Sequence, residues 1–159
     1  GDGAVSDLGT VRLAYRPTSG IELFGQATLG NTRIDGGDGM LREWSDVRSD
    51  AFALGMLASN VLGDGDHLGI IIGQPLRVRD ASAMLDMPMA RKANGDIERL
   101  QERVDLTPTG RELRAEIAYR HAIMEASTIG TWLLLQHQPG HDASAEPALG
   151  VGVRFTGQF

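Results

Sequence analysis

Hydrophobic and polar residues alternate along much of the chain with a period of two. The clearest case is 148–159, where Val151, Val153 and Phe155 share one parity and glycine or polar residues occupy the other. Side chains of a strand point alternately to its two faces, so this pattern predicts a strand with one apolar face. Phe159 has the same parity as the three other apolar residues.

Similar alternating segments, separated by turn residues, predict about nine strands joined in sequence. Pro17–Gly20, Gly63–Asp66 and Asn94-Gly95 are typical turn sequences. Pro75 predicts a break because proline cannot donate to a strand ladder. Residues 97–104 fit either a strand or a short amphipathic helix. The predicted strands are 11–16, 21–29, 50–62, 67–74, 81–89, 98–106, 113–120, 128–136 and 148–159.

The strand pattern predicts an all-β fold, an antiparallel meander that forms a β-barrel or a partial barrel within one domain, 1–159. The predicted strands have roughly ten residues each, which matches strands that cross a bilayer better than ordinary globular strands. Longer segments at 31–48 and 138–147 alternate with short turns, as in outer-membrane barrels. This alternation of longer segments and short turns depends on a break at Pro75.

Composition narrows the class of protein. The 159 residues are 42% hydrophobic but contain no long apolar run, so a membrane-spanning helix is not predicted. A net charge of −6 argues against a general nucleic-acid-binding role. Cysteine is absent, which excludes disulfides and cysteine-ligated metals. No signal peptide is visible at Gly1, as expected of a processed chain or a fragment.

Three segments, taken with the last strand, carry a family resemblance. They read QPLRV at 74–78, LTPTGREL at 106–113 and QPGH at 138–141. In order and spacing, the set resembles the carboxy-terminal β-domain of subtilisin-like serine protease autotransporters, over about the last ninety residues. The resemblance implies an outer-membrane translocator and anchor, with membrane lipid, the barrel-assembly machinery and an upstream passenger domain as partners.

Two features depart from that family. The family barrel has about a dozen strands, so the resemblance implies that its first strands are missing from this chain. Open strand edges would then favour self-association. No catalytic motif of the subtilase passenger matches a position here, and the chain by itself is expected not to be an enzyme.

The last strand also resembles the terminal strand of bacterial outer-membrane barrels, which the barrel-assembly machinery recognises. The candidate assembly signal is Val151, Val153, Phe155 and Phe159. An ordinary closing strand of a soluble β-sandwich would show the same alternation, so both interpretations stay open.

Charged residues of both signs alternate with apolar ones in the seventh predicted strand. On a barrel these charges would line the lumen, where they can pair or face water, whereas on a soluble sheet they would form a solvated face. The candidate lumen charges are Arg111, Arg114, Glu116 and Arg120, with Arg99, Glu102 and Arg103 from the preceding strand.

Candidate chemistry is otherwise weak, and neither a cofactor nor a metal is predicted. No serine elbow is present. His137 and His141 are four apart, but Pro139 between them excludes a helix, so they are interpreted as loop residues. The Asp/Gly segments 35–39 and 64–66 lack the glutamate of a calcium loop and are interpreted as turns.

A second function fits the same pattern. A soluble β-barrel or β-sandwich acting as a binding module would account for the low aromatic content of 5% and the few interface aromatics. A hydrolase would require catalytic residues to converge from distant strands.

Overall fold

The computed structural model describes residues 3–36, 39–124 and 127–157. The fold is all-β and antiparallel, which confirms the predicted class, and no closed barrel is formed by the described residues. A single 3₁₀ turn, Pro139–His141, precedes the last strand. The strands are β1 Gly3–Thr18, β2 Ile21–Asp35, β3 Leu41–Arg42, β4 Val47–Ser59, β5 His67–Asp80, β6 Ser82–Arg91, β7 Ile97–Asp105, β8 Leu113–Met124, β9 Ser127–His137 and β10 Ala148–Gly157.

Seven strands pair in the order β1-β2-β4-β5-β8-β9-β10, and three pair in the order β3-β6-β7. The first set is a meander from which the β6–β7 hairpin is left out, so β5 pairs with β8. Within the described ranges, β1 and β10 each have one strand neighbour. Both therefore present an unpaired edge.

The chain divides into two compact units. Unit 1 comprises Gly1–Gly9, Leu29–Asp50 and Val78–Pro108. Unit 2 comprises Thr10–Thr28, Ala51–Arg77 and Thr109–Phe159. The long strands β1, β2, β4 and β5 contribute residues to both units.

In unit 1, a buried carboxylate organises the three-stranded sheet. Asp86 on β6 accepts a hydrogen bond from Arg99 Nε at 2.5 Å and pairs with Arg42 Nη1 at 3.2 Å. The two arginines come from β7 and β3, so one acidic side chain links all three strands. Charge pairing of this kind compensates the cost of burying a carboxylate.

In unit 2, the register aligns residues of β5, β8, β9 and β10 in rows. Ile70, Ile117, Leu133 and Val151 form one such row. The neighbouring row contains Gly69, Ala118, Trp132 and Gly152. Because side chains alternate between faces, the two rows point to opposite sides of these strands.

The predicted break at Pro75 is wrong. Strand β5 continues through Pro75 to Asp80. Its pairing with β8 runs from His67 to Gly73, so Pro75 falls beyond this ladder, where its missing N–H costs no bond to β8. The alternative helix over 97–104 is also absent, since β7 occupies 97–105.

Because β5 is not broken at Pro75, the predicted assignment of turns to the two ends of the strands changes. The turns after β1 and β4 lie at the same end of unit 2 as the last residue of β8, as the antiparallel order requires. Residues 125 and 126, which belong to the predicted turn after β8, lie outside the described residues. Asn94-Gly95 instead joins β6 to β7 in the three-stranded sheet, so it does not belong to this set.

Candidate functional site

Unit 2 has an exposed apolar face on β5, β8, β9 and β10, here called the apolar face. Val151, Val153 and Phe155 of β10 are 67%, 70% and 61% exposed. Soluble monomers rarely expose a contiguous apolar patch of this kind. Its other large members are Leu68, Ile70, Ile72, Leu113, Ile117, Leu133, Leu135 and Leu149.

An apolar core that would bury such side chains is almost missing. In the described residues, the buried hydrophobic side chains are Ala58, Ala81 and Ala83. Water-soluble domains normally bury leucine, isoleucine, valine and phenylalanine. Here many residues of these types are at least a third exposed.

The opposite side of the same strands, here called the cavity face, borders a cavity of about 830 Å³ in unit 2. Trp132 is one of its lining residues and pairs with Ala118 on β8 and Gly152 on β10. A Cβ atom placed on Gly152 would come within 2.2 Å of Trp132 Nε1. The indole therefore lies directly over Gly152, which has no side chain to displace it.

A second aromatic ring lies over a glycine on the neighbouring strands. A Cβ atom on Gly55 would come within 2.3 Å of Phe24 Cζ. Arg12 covers the ring of Phe24, its Cζ atom 5.0 Å from the ring centroid, in a cation–π arrangement. Glycine in a strand is unfavourable by itself, and the covering aromatic ring compensates for the missing side chain.

Charged side chains also line the cavity. Glu22 is paired with Arg16 at 2.6 Å and with Arg12 at 3.7 Å. Arg120 and Arg154 also border the cavity, on either side of Gly130. The two faces of these strands therefore differ in chemistry as well as in exposure.

The turn between β4 and β5 is organised by Asp66, whose side chain is fully buried. Its carboxylate accepts hydrogen bonds from the N–H groups of Val61, Leu62 and Gly63 and from the Tyr119 hydroxyl. Burial by itself would raise the Asp66 pKa, but these four donors together hold that pKa below its ordinary value. The turn is thus tied to β8 by an ionised carboxylate.

At the other end of β8, Glu112 and His141 form a buried polar cluster. Glu112 accepts hydrogen bonds from Arg114, Gln136 and the Gly140 N–H. Burial would raise the Glu112 pKa, and these bonds, with the charge of Arg114, instead lower it. The 109–112 segment is thereby fastened to 136–141.

His141 completes this cluster as a neutral side chain. Its Nδ1 accepts from the Glu112 N–H at 2.9 Å, so Nε2 carries the proton and donates to the Leu76 carbonyl at 3.1 Å. The residue has a left-handed φ of 58°. Of the two histidines interpreted as loop residues, His137 is instead the last residue of β9, and His141 ends the 3₁₀ turn between β9 and β10. The buried bridging role of His141 was not predicted.

The candidate assembly signal divides into a described and an undescribed part. Val151, Val153 and Phe155 share the apolar face of β10 and pair with Leu133, Thr131 and Ile129 of β9. Phe159 lies outside the described residues. The signalling role of these residues stays a prediction.

The candidate lumen charges are not one cluster. Arg114, Glu116 and Arg120 alternate on one face of β8, but only Glu116 and Arg120 border the cavity. Arg114 pairs with Glu112, and Arg111 is exposed and precedes the strand. The three charges from the preceding strand, Arg99, Glu102 and Arg103, lie on β7 in unit 1.

The described residues contain no group of three or more His, Asp or Glu side chains arranged to hold a metal ion. Asp64 and Asp66 lie in the β4–β5 turn, as predicted. Of the other Asp/Gly segment, residues 37 and 38 lie outside the described ranges. Among the described residues, no helix has the length and apolarity needed to cross a membrane.

Comparison of the chain with protein-family models, curated proteins and solved structures finds no match. The functional assignment therefore depends on the two faces of unit 2 and on the sequence resemblance.

Sequence reasoning missed several residues of this site. Asp66 was interpreted as an ordinary turn residue, and nothing local to it indicates that Tyr119 reaches its carboxylate. Arg154 was seen only as a polar position of the last strand. Its parity relative to Gly152 was a usable signal, because both residues had to share the face opposite Val153.

Proposed function

We propose that the chain is the outer-membrane translocator and anchor β-domain of a subtilase-type autotransporter, without catalytic activity of its own. The observation that supports this most is the inverted distribution of side chains in unit 2. Large apolar residues stand on an exposed face, whereas arginine and glutamate line a cavity on the opposite face. A β-sheet that contacts lipid on one side and water on the other has this distribution.

Strand length agrees with the proposal. β8, β9 and β10 have 12, 11 and 10 residues. A tilted strand needs about 9–11 residues to cross the hydrocarbon layer, whereas globular strands are usually about half as long. These three strands are long enough to cross a bilayer.

Two exposed aromatic residues support the proposal. Tyr15 near the end of β1 and Phe155 near the end of β10 are both exposed. The antiparallel order places both strand ends at the turn end of unit 2. Outer-membrane barrels carry aromatic girdles at this level of the bilayer.

In this function, each partner has a place on the chain. Membrane lipid covers the apolar face, and β10 provides the signal for the barrel-assembly machinery. The passenger is carried upstream of the domain. The unpaired edges of β1 and β10 would close by pairing with further strands of the same protein or with a second copy.

The alternative is a soluble β-barrel or β-sandwich that serves as an interaction module. Such a fold buries apolar residues between its layers. In this function the apolar face would be covered by a protein partner, and the chain would fold in water without detergent or lipid.

Site-specific labelling distinguishes the two functions, and the absence of cysteine makes it straightforward. We would introduce single cysteines by Val151→Cys on the apolar face and Glu116→Cys on the cavity face, and attach a polarity-sensitive fluorophore. After folding into phosphatidylcholine vesicles, we expect lipid-attached quenchers to act on the label at 151. The label at 116 should respond to aqueous iodide.

Circular dichroism of the same samples establishes whether each labelled chain is folded. A β-rich spectrum in buffer alone, with both labels accessible to iodide and insensitive to lipid quenchers, would contradict the membrane proposal. It would favour the soluble module.

A further inference from the structure

Anchoring a passenger does not by itself require the arginines that line the cavity of unit 2. Its lining includes three arginines and two glutamates, so its formal charge is +1 with His67 neutral, in a chain with a net charge of −6. An isolated electropositive site in an acidic chain attracts anions. The arrangement of the arginines defines where an anion would bind.

Arg120, Gly130 and Arg154 occupy one row across β8, β9 and β10. Adjacent strands are about 4.8 Å apart, so the two arginine Cα atoms are separated by roughly 10 Å. A Cβ atom on Gly130 would meet only the backbone oxygens of Tyr119 and Arg154, at 3.8 and 3.9 Å. The space above Gly130, between the two arginines, is therefore open.

The arginines of this row are not neutralised by the carboxylates of the cavity. Glu22 is engaged by Arg16 and Arg12. Glu116 is four residues from Arg120 along β8, or about 13 Å at the usual rise of a strand. Neither Arg120 nor Arg154 forms a hydrogen bond or an ion pair with another side chain of the described residues.

Trp132 lies beside this row, two residues along β9 from Gly130. The indole rests on Gly152 and is still 41% exposed. Its backbone row is about 7 Å from the arginine row, given the rise of two strand residues. The indole itself reaches from Gly152 towards Gly150, where a Cβ atom would come within 3.0 Å of Trp132 Cζ3. An aromatic ring that stacks on Trp132 would place an attached acidic group near the arginines.

We propose that the row Arg120–Gly130–Arg154, together with Trp132, is a binding site for an aromatic ligand that carries a phosphate or a similar oxyanion. The guanidinium groups hold the oxyanion from both sides, since their planar donors suit paired hydrogen bonds to its oxygens. Trp132 stacks on the ring. Gly130 leaves the space that the oxyanion occupies.

Phenyl phosphate is the probe for this site. The chain has two tryptophans, so a Trp44→Phe background leaves Trp132 as the only tryptophan. In nonionic detergent, with the fold verified by circular dichroism, we expect phenyl phosphate to change Trp132 fluorescence saturably. Inorganic phosphate, which lacks the ring, and phenol, which lacks the charge, should each bind at least tenfold more weakly.

Charge-removal variants test the arginines separately. Arg120→Gln or Arg154→Gln should weaken phenyl phosphate binding at least tenfold. The matched control is Arg111→Gln, which removes the same charge from an exposed position of unit 2 that does not border the cavity. Its affinity should stay within twofold of that of the Trp44→Phe background.

Gly130 provides a test that leaves both arginines in place. Gly130→Glu would put a carboxylate between them and should abolish phenyl phosphate binding, whereas Gly130→Ala adds only a Cβ atom in open space and should preserve it. Unchanged affinity in both arginine variants, or equal responses to phenol and phenyl phosphate, would overturn the site. These measurements do not depend on lipid insertion, so they can fail or succeed independently of the translocator proposal.

Discussion

Two faces of the same strands, β8, β9 and β10, follow different packing rules. On the apolar face, Val151 and Val153 are mostly exposed, although their side chains are of the type that proteins usually bury. On the cavity face, Trp132 is fitted to Gly152 at a distance that leaves no room for a methyl group. The apolar face therefore depends on its surroundings, whereas the cavity face depends on specific contacts within the chain.

The largest expected effect comes from placing a charge on the apolar face. Val151→Arg should reduce the free energy of folding into lipid vesicles by about 2–4 kcal/mol, the usual cost of arginine at the bilayer midplane of a β-barrel. The measurement is urea titration of vesicle-bound protein. Glu116→Arg is the control, since it places arginine on the cavity face. Equal losses in the two variants would mean that the faces do not differ in their contact with lipid.

The cavity face should respond to shape rather than to charge. Gly152→Val should destabilise the fold by about 1–3 kcal/mol, because its side chain would occupy the position of the indole. Trp132→Ala in the same chain should recover much of that loss in a double-mutant cycle. Gly130→Ala, where a Cβ atom meets nothing closer than 3.8 Å, should change stability little. Additivity of the first two substitutions would contradict the predicted clash.

Acid should weaken the turn between β4 and β5, which Asp66 ties to β8 through Tyr119. The Asp66 pKa is lowered in the folded state, so its contribution is present above the unfolded value of about 3.9 and is lost as pH falls through the folded value. Asp66→Asn should be less stable than the parent at pH 7, and the difference should shrink in acid. Denaturant titrations between pH 7 and pH 2 measure this. A difference that is independent of pH would indicate that the charge of Asp66 has no role.

The smallest effect on stability is expected at an exposed ion pair between β1 and β2. It occupies alternating positions that hold apolar residues further along these two strands. Arg33 on β2 pairs with Asp7 on β1 at 3.1 Å, and both side chains are more than half exposed. Arg33→Gln should change the free energy of unfolding by less than about 0.5 kcal/mol, as for most exposed ion pairs. A larger loss, measured by the same titration in vesicles, would place this pair in a less polar environment than its exposure indicates.

Much of the fold was predictable because each strand shows a local alternation of hydrophobic and polar residues in the sequence. The predicted segments correspond to the long strands, and Asn94-Gly95 correctly marks a hairpin. The error at Pro75 arose because a proline interrupts a strand only where its N–H is needed. Which ladder each residue of β5 joins depends on β8, a segment about forty residues away in the chain.

Alternation also predicted which residues share a face, since the period of two is a property of the backbone. It placed Val151, Val153 and Phe155 together, and Glu116 with Arg120. Only the tertiary structure decided which of these residues meet other strands. The row of Arg120 and Arg154, the fit of Trp132 over Gly152 and the burial of Asp66 under Tyr119 depend on strand order and register. Those follow from the pairing of distant segments, for which a single sequence carries no local signal.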